Sequence, residues 1–190
     1  KLEDFGISIG EADENLGAIA LGGMSTGVSP VQLASAYTTF VNEGVRTEAR
    51  FITKIVDATG AVIVDNTNPE TNRVTTAAVA EEMTSMLMGV YADGGTGASA
   101  QPSNGMVIAG KTGTTELDRE TGYIKSQWMV GYTPDLVVAT WLGYDETNEA
   151  HNLNNAGKTM ANLYSAEMGA LLSISPQTEF AVAAAEETYD

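Results

Sequence analysis

The chain has 190 residues, nine of them Lys or Arg and 25 Asp or Glu, which leaves a formal charge of −16. That charge repels phosphate backbones and excludes a general nucleic-acid binder, while the absence of cysteine excludes disulfides, a thiol nucleophile and thiolate metal sites. The length fits one domain or a little more, and 43% hydrophobic content suits a packed core rather than disorder. Nowhere do 18 apolar residues run together, and Lys1 does not open a signal peptide, so a targeting segment of an exported parent would lie outside these residues.

Glu3 to Gly23 mixes small and acidic residues with glycines and predicts a loop-rich start with one short helix at most. Ser29-Pro30-Val31-Gln32 sets an N-cap hydroxyl, a proline at the first helical position and a glutamine able to reach back. A helix over about 30–43 follows, with Leu33, Ala34, Tyr37, Phe40 and Val41 on one face and Gly44 at its left-handed end. Phe51 to Val56 and Ala61 to Val64, joined by Asp57-Ala58-Thr59-Gly60, predict a hairpin.

Val79, Met83, Met86, Leu87 and Val90 mark a second helix that stops at Asp93-Gly94-Gly95. Val107 to Thr115, Gln127 to Tyr132 and Leu136 to Tyr144 read as three consecutive strands, the last two turning at Thr133-Pro134-Asp135. Met160, Leu163, Tyr164, Met168, Leu171 and Leu172 mark a final helix ending before Pro176, and an alanine-rich acidic tail that frays or serves as linker completes the chain.

Gly105-Met106-Val107-Ile108-Ala109-Gly110-Lys111-Thr112 satisfies the text of a phosphate loop. The chemistry fails. Such a loop needs small flexible residues to curl its N–H groups around phosphates and a helix starting at Lys-Thr, whereas Met-Val-Ile-Ala favours an extended strand and Gly113-Thr114-Thr115 starts a helix poorly. Read as a strand, the segment puts Lys111 and Gly113 on one face and Thr112 and Thr114 on the other. The ammonium can hold a carboxylate or support proton transfer, the hydroxyls can donate to a carboxylate, and an edge strand can pair with an extended peptide. By spacing alone, a short Lys-Thr-Gly is also an ordinary solvated strand end.

A family resemblance rests on ordered blocks. Ala20-Leu21-Gly22-Gly23, then Gly27-Val28-Ser29-Pro30-Val31-Gln32-Leu33-Ala34-Ser35-Ala36-Tyr37, then Ala109-Gly110-Lys111-Thr112-Gly113-Thr114-Thr115, then Gln127 to Pro134 and Ala139 to Asp145 resemble the late part of a class A (bifunctional) penicillin-binding protein transpeptidase domain. Lys-Thr-Gly is one of that group's signatures, beside Ser-x-x-Lys and Ser-x-Asn. Glycines 94, 95 and 97 around Thr96 resemble a Gly-Thr-Gly stretch that the family places before the catalytic strand, here read as a turn flanking the groove.

The resemblance implies an α+β, β-lactamase/transpeptidase-like fold, an antiparallel sheet covered by helices with only its C-terminal part present in 1–175, and a tail over 176–190. It implies peptidoglycan stem peptides and β-lactams as ligands, no cofactor or metal, and a parent anchored on the outer face of the cytoplasmic membrane. Carried over by position, Lys111 assists the proton relay, Thr112 and Thr114 meet the substrate carboxylate, the Thr114 N–H is one oxyanion donor, and Gly113 and Thr115 belong to the substrate-binding strand. No serine here is followed three positions later by lysine, and Ser-x-Asn is absent. The nucleophile is therefore expected on an upstream segment of the same protein, with this chain alone inert.

Two alternatives differ in testable ways: a penicillin-sensing or β-lactamase-like domain would keep or hydrolyse the acyl group, and a nucleotide hydrolase would bind ATP. His151, the sole histidine, reads as a surface residue. Asp118-Arg119-Glu120-Thr121-Gly122 lacks the glycine spacing and final glutamate of a calcium loop. Trp128 and Trp141 read as core.

Overall fold

A computed structural model describes residues 1–13, 15–118, 120–154, 156–176 and 178–180. The elements in chain order are α1 (Leu16–Ala20), α2 (Pro30–Val41), β1 (Val45–Thr47), β2 (Lys54–Val56), β3 (Val62–Asp65), β4 (Thr71–Arg73), α3 (Ala77–Met88), β5 (Ala109–Glu116), β6 (Ile124–Thr133), β7 (Leu136–Gly143) and α4 (Gly157–Leu172). The central sheet is antiparallel in the order β5-β6-β7. Helices cover both of its faces, so the α+β reading holds.

Each face follows from strand alternation. Met129 and its neighbour Gly131 belong to the α4 side, where Met160, Ala161, Tyr164, Met168 and Leu172 pack with Tyr91, Ala100 and Ile108. A Cβ at Gly131 would run into the Tyr164 hydroxyl, so glycine lets α4 lie close to the strand. Tyr132 and its cross-strand partner Ala109 face the other way, into a cluster with Leu87, Tyr37, Phe40 and Met83 from α2 and α3. The Phe40 and Tyr132 rings stack at 6.3 Å between centroids.

The start of α2 forms the expected capping box: Gln32 N–H donates to Ser29 Oγ at 3.2 Å and Ser29 N–H donates to Gln32 Oε1 at 2.9 Å. Gly44 closes the helix at φ +88°, against the Thr75 carbonyl. Asn66 to Asn72 reads as a plain connection, yet Thr71–Arg73 forms β4 and pairs with β1. Arg46 ties this two-stranded ladder down, donating to Asn72 Oδ1 and Ser35 Oγ, both at 3.1 Å.

Several boundaries differ from expectation, among them the start of β6 at Ile124 rather than Gln127. The second helix stops at Met88, capped at Gly89, instead of reaching Gly94. The hairpin ladder is shorter than predicted, β2 starting at Lys54. The strand expected from Val107 begins at Ala109, because its partner β6 turns at Thr133-Pro134-Asp135 and the ladder ends with the Ala109–Tyr132 pair. Pro134 has no N–H to extend it. Part of the 176–190 tail, Gln177 and residues 181–190, lies outside the described residues. Within the rest, Thr178 N–H donates to Asp135 Oδ2 at 3.1 Å and the Phe180 ring meets Tyr132 edge-on at 5.7 Å, so these residues pack against the β6–β7 turn and Tyr132.

Replacing Ser29 with alanine removes the cap and is expected to lower unfolding free energy by about 1 kcal/mol, read as a shifted midpoint at unchanged slope in urea denaturation. Burial pushes the Tyr37 and Tyr132 phenols up to about 12. Because their unfolded pKa is about 10, the neutral phenols' contribution to stability is complete below that pH and is lost as pH rises toward about 12. Ultraviolet titration should show phenolate from these rings appearing only with unfolding.

Candidate functional site

The Lys-Thr-Gly segment lies in the middle of β5, which pairs with β6 on one side and with no strand on the other among the described residues. Its free edge carries backbone N–H and C=O groups able to join an extended peptide. The ladder sets Lys111 opposite Val130, Thr112 opposite Met129, Gly113 opposite Trp128 and Thr114 opposite Gln127. Directly opposed residues share a face. Thr112 and Thr114 therefore lie on the α4 side and Lys111 and Gly113 on the other, as the period-two pattern predicts.

Lys111 is exposed, and its ammonium donates to the Thr112 carbonyl at 2.9 Å. No carboxylate lies within ion-pairing distance of it among the described residues, where the single salt bridge joins Lys1 and Asp4 at 3.4 Å. Its charge stays open to an incoming anion. At Gly113 a Cβ would sit 3.3 Å from Trp128 Cβ, so the missing side chain lets β6 carry an indole directly behind the segment. Gly110, one residue before Lys111, is required for the same kind of reason: a Cβ there would strike the Val130 carbonyl.

Two hollows flank the end of β5. A space of about 270 Å³ is lined by Thr96, Ser99, Thr112, Thr114, Gln127 and Gly157 among others. The Thr96 and Thr112 hydroxyls are hydrogen-bonded at 2.8 Å. Gln127 Oε1 is buried with no hydrogen-bond partner among the described residues. The second space, about 440 Å³, is bounded by the loop 22–28, Thr115, Lys125, Trp128, Trp141 and Tyr144. Asp13 holds that loop, accepting from the Ser25 N–H, from Gly10 N–H at 3.2 Å and from Thr26 Oγ1 at 3.0 Å. The Ser25 bond leads in holding the Asp13 carboxyl below its usual range.

Sequence reasoning placed all five residues from Lys111 to Thr115 on one strand, and the structure keeps them there. A run of strand rather than of helix follows Lys111-Thr112, which disposes of the phosphate-loop reading. The tryptophans are less buried than expected: Trp141 is 40% exposed, and the two rings lie 6.3 Å apart beside the cleft, beyond the N-terminal end of α2. His151 stacks on Tyr144 at 5.2 Å in its loop. The Asp118 carboxylate is taken up by its own turn, accepting the Thr121 N–H at 2.7 Å and hydroxyl at 2.8 Å. Arg119 of that stretch is outside the described residues. Ser99 and Gln127 were not legible as site residues; the glycines around Thr96 were the available signal for that hydroxyl.

The family model described as penicillin binding protein transpeptidase domain matches residues 2–168. The chain belongs to the penicillin-binding protein transpeptidase family. It is 40% identical over 183 residues, 95% of its length, to penicillin-binding protein 2a of Streptococcus pneumoniae serotype 2 (strain D39 / NCTC 7466), of which it covers 24%. Against penicillin-binding protein 1F of Bacillus subtilis (strain 168) it is 39% identical over 152 residues, covering 80% of this chain and 21% of that protein. The chain thus spans about a quarter of these curated relatives. Among solved structures, the penicillin-binding protein PonA1 from Mycobacterium tuberculosis superposes with a TM-score of 0.72 at 27% identity, covering 90% of this chain and 45% of that one. PonA1 in complex with penicillin V gives 0.73 at 26% identity, with 90% and 46% coverage. The transpeptidase-like fold and the family resemblance read from the sequence both hold.

Replacing Gly113 with valine in this transpeptidase segment is expected to push Trp128 off its position and to cost about 1–3 kcal/mol by overpacking. Tryptophan emission in a Trp141→Phe background, followed through thermal unfolding, would register both changes.

Proposed function

We propose that this chain supplies the Lys-Thr-Gly side of a peptidoglycan D,D-transpeptidase site, which cross-links stem peptides through a serine acyl-enzyme and is acylated by β-lactams. The observation that carries the reading is an edge strand with an unpaired ammonium on one face and two hydroxyls on the other, within a segment that the family model matches. The nucleophile's hydroxyl attacks the carbonyl of the penultimate D-Ala. The terminal D-Ala leaves with the proton the hydroxyl gave up, and an amine of a neighbouring strand later takes the acyl group and restores the serine.

Each residue has a stated part. Lys111 stands beside the second-motif serine, supports its proton relay and adds positive field in a chain with few cations. Thr112 and Thr114 donate to the substrate carboxylate. The Thr114 N–H and the nucleophile's own N–H receive the developing oxyanion, each worth about 2.7–4 kcal/mol of transition-state stabilisation. Gly113 and Thr115 hold the strand against the substrate backbone. The Ser-x-x-Lys and Ser-x-Asn motifs come from an upstream segment of the same protein, which also anchors it on the outer face of the cytoplasmic membrane. Among the described residues, no helix is long and apolar enough to cross a membrane. Residues 1–175 are the transpeptidase portion and 176–190 its appendage.

The 190-residue chain alone should gain no mass on exposure to penicillin, whereas the protein with its upstream segment restored should form a one-to-one adduct. In that restored protein, Lys111→Ala should slow acylation by about 100-fold or more. An adduct on the isolated chain, or undiminished acylation of the Lys111→Ala protein, would sink the proposal.

A further inference from the structure

The Thr96–Thr112 hydrogen bond joins a turn outside the Lys-Thr-Gly strand to one of its two hydroxyls. Each threonine hydroxyl has one proton to donate and lone pairs to accept with. If Thr112 gives its proton to Thr96, it faces an incoming carboxylate with lone pairs alone. If Thr96 gives its proton to Thr112, the Thr112 proton is free to point outward, and the accepted bond polarises it. A bound carboxylate therefore selects the second direction.

The turn that presents Thr96 is fixed to the core. Gly97 N–H donates to the Val90 carbonyl at 2.8 Å and Gly95 N–H to the Ala92 carbonyl at 2.9 Å. A Cβ at Gly95 would strike the Val90 carbonyl, and one at Gly97 would sit 3.0 Å from the Tyr91 ring. Tyr91 is itself 1% exposed and donates its hydroxyl to the Val130 carbonyl of β6 at 2.9 Å. Thr96 and Thr112 are thus both referenced to β6, one through Tyr91 and one through the ladder. The glycines let a threonine approach the strand from a turn packed flush on Tyr91.

Resting on the transpeptidase reading above, we infer that Thr96 is a positioning residue for carboxylate recognition: it donates to Thr112 Oγ1 and so directs the Thr112 proton to the terminal carboxylate of a D-alanyl peptide or β-lactam. It touches neither the reacting carbonyl nor the nucleophile. Its effect therefore falls on binding before acylation and leaves the chemical step alone.

The test uses the protein with its upstream segment restored and penicillin V as probe, with stopped-flow acylation resolved into pre-acylation affinity and acylation rate. Thr96→Val should weaken affinity about three- to ten-fold, with the acylation rate constant unchanged within about two-fold. Thr96→Ser, which keeps the donor, should restore it. Thr96→Val should add nothing in a Thr112→Val background, because the proton it directs is gone. Thr96→Ala provides the same cycle if the valine variant melts early. Multiplying effects in the double variant would overturn the inference, as would a silent Thr96→Val beside an impaired Thr112→Val. Should Thr112→Val and Lys111→Ala both leave acylation intact, the Lys-Thr-Gly reading falls and takes this inference with it.

Discussion

The register between β5 and β6 is the constraint on which the site depends. One pair in from the Ala109–Tyr132 end of the ladder, Gly110 faces Gly131, and neither tolerates a side chain: one would strike the Val130 carbonyl, the other the Tyr164 hydroxyl. With no Cβ on either residue, the strands and α4 approach closely at this pair. A slip of one residue would exchange the faces of the ammonium and the hydroxyls and carry apolar side chains out of the core. The hydrophobic pattern of β6 therefore fixes the chemistry of β5.

Around that pair the two layers act as clamps. On one side the Tyr91 hydroxyl bonds a β6 carbonyl while its ring stacks on Tyr164 at 5.9 Å. On the other, Tyr132 is stacked by Phe40 and bonds Thr84 at 2.9 Å. Burial raises the pKa of all three phenols, because their ionised forms would lose hydration. They stay neutral and serve as rigid rods with one polar end. The site segment is thus exposed chemistry on a strand whose neighbours are immobilised, an arrangement suited to precise placement of donors.

Much of this was legible in the residues. The capping box at Ser29, the existence and face pattern of the three sheet strands and the closing helix rest on local chemistry that acts within a few residues, and each is present, with strand ends shifted by up to three residues. The β1–β4 ladder was not legible, since Val45–Thr47 and Thr71–Arg73 are three-residue strands whose pairing spans the intervening hairpin. Strand onset at Ala109 was missed because a ladder ends where its partner ends, which the strand's own residues do not encode. Trp141 was assigned to the core from its apolar character, but α2 begins at Pro30 and leaves the ring at a cleft wall. Lys111 to Thr115 could be found as a motif, whereas Gln127 and Ser99 gained their place only through folding.

The β2–β3 ribbon has a consequence for handling the molecule. Phe51, Ile52, Val56, Val62 and Ile63 are all more than half exposed on and beside it, an oily flap without a cover among the described residues. Self-association through such a surface is opposed by the mutual repulsion of chains that each carry sixteen excess negative charges. Concentrated electrolyte shortens the reach of that repulsion to a few ångströms while strengthening apolar adhesion. Colloidal behaviour should therefore be best in dilute buffer, and salting out should begin at this flap.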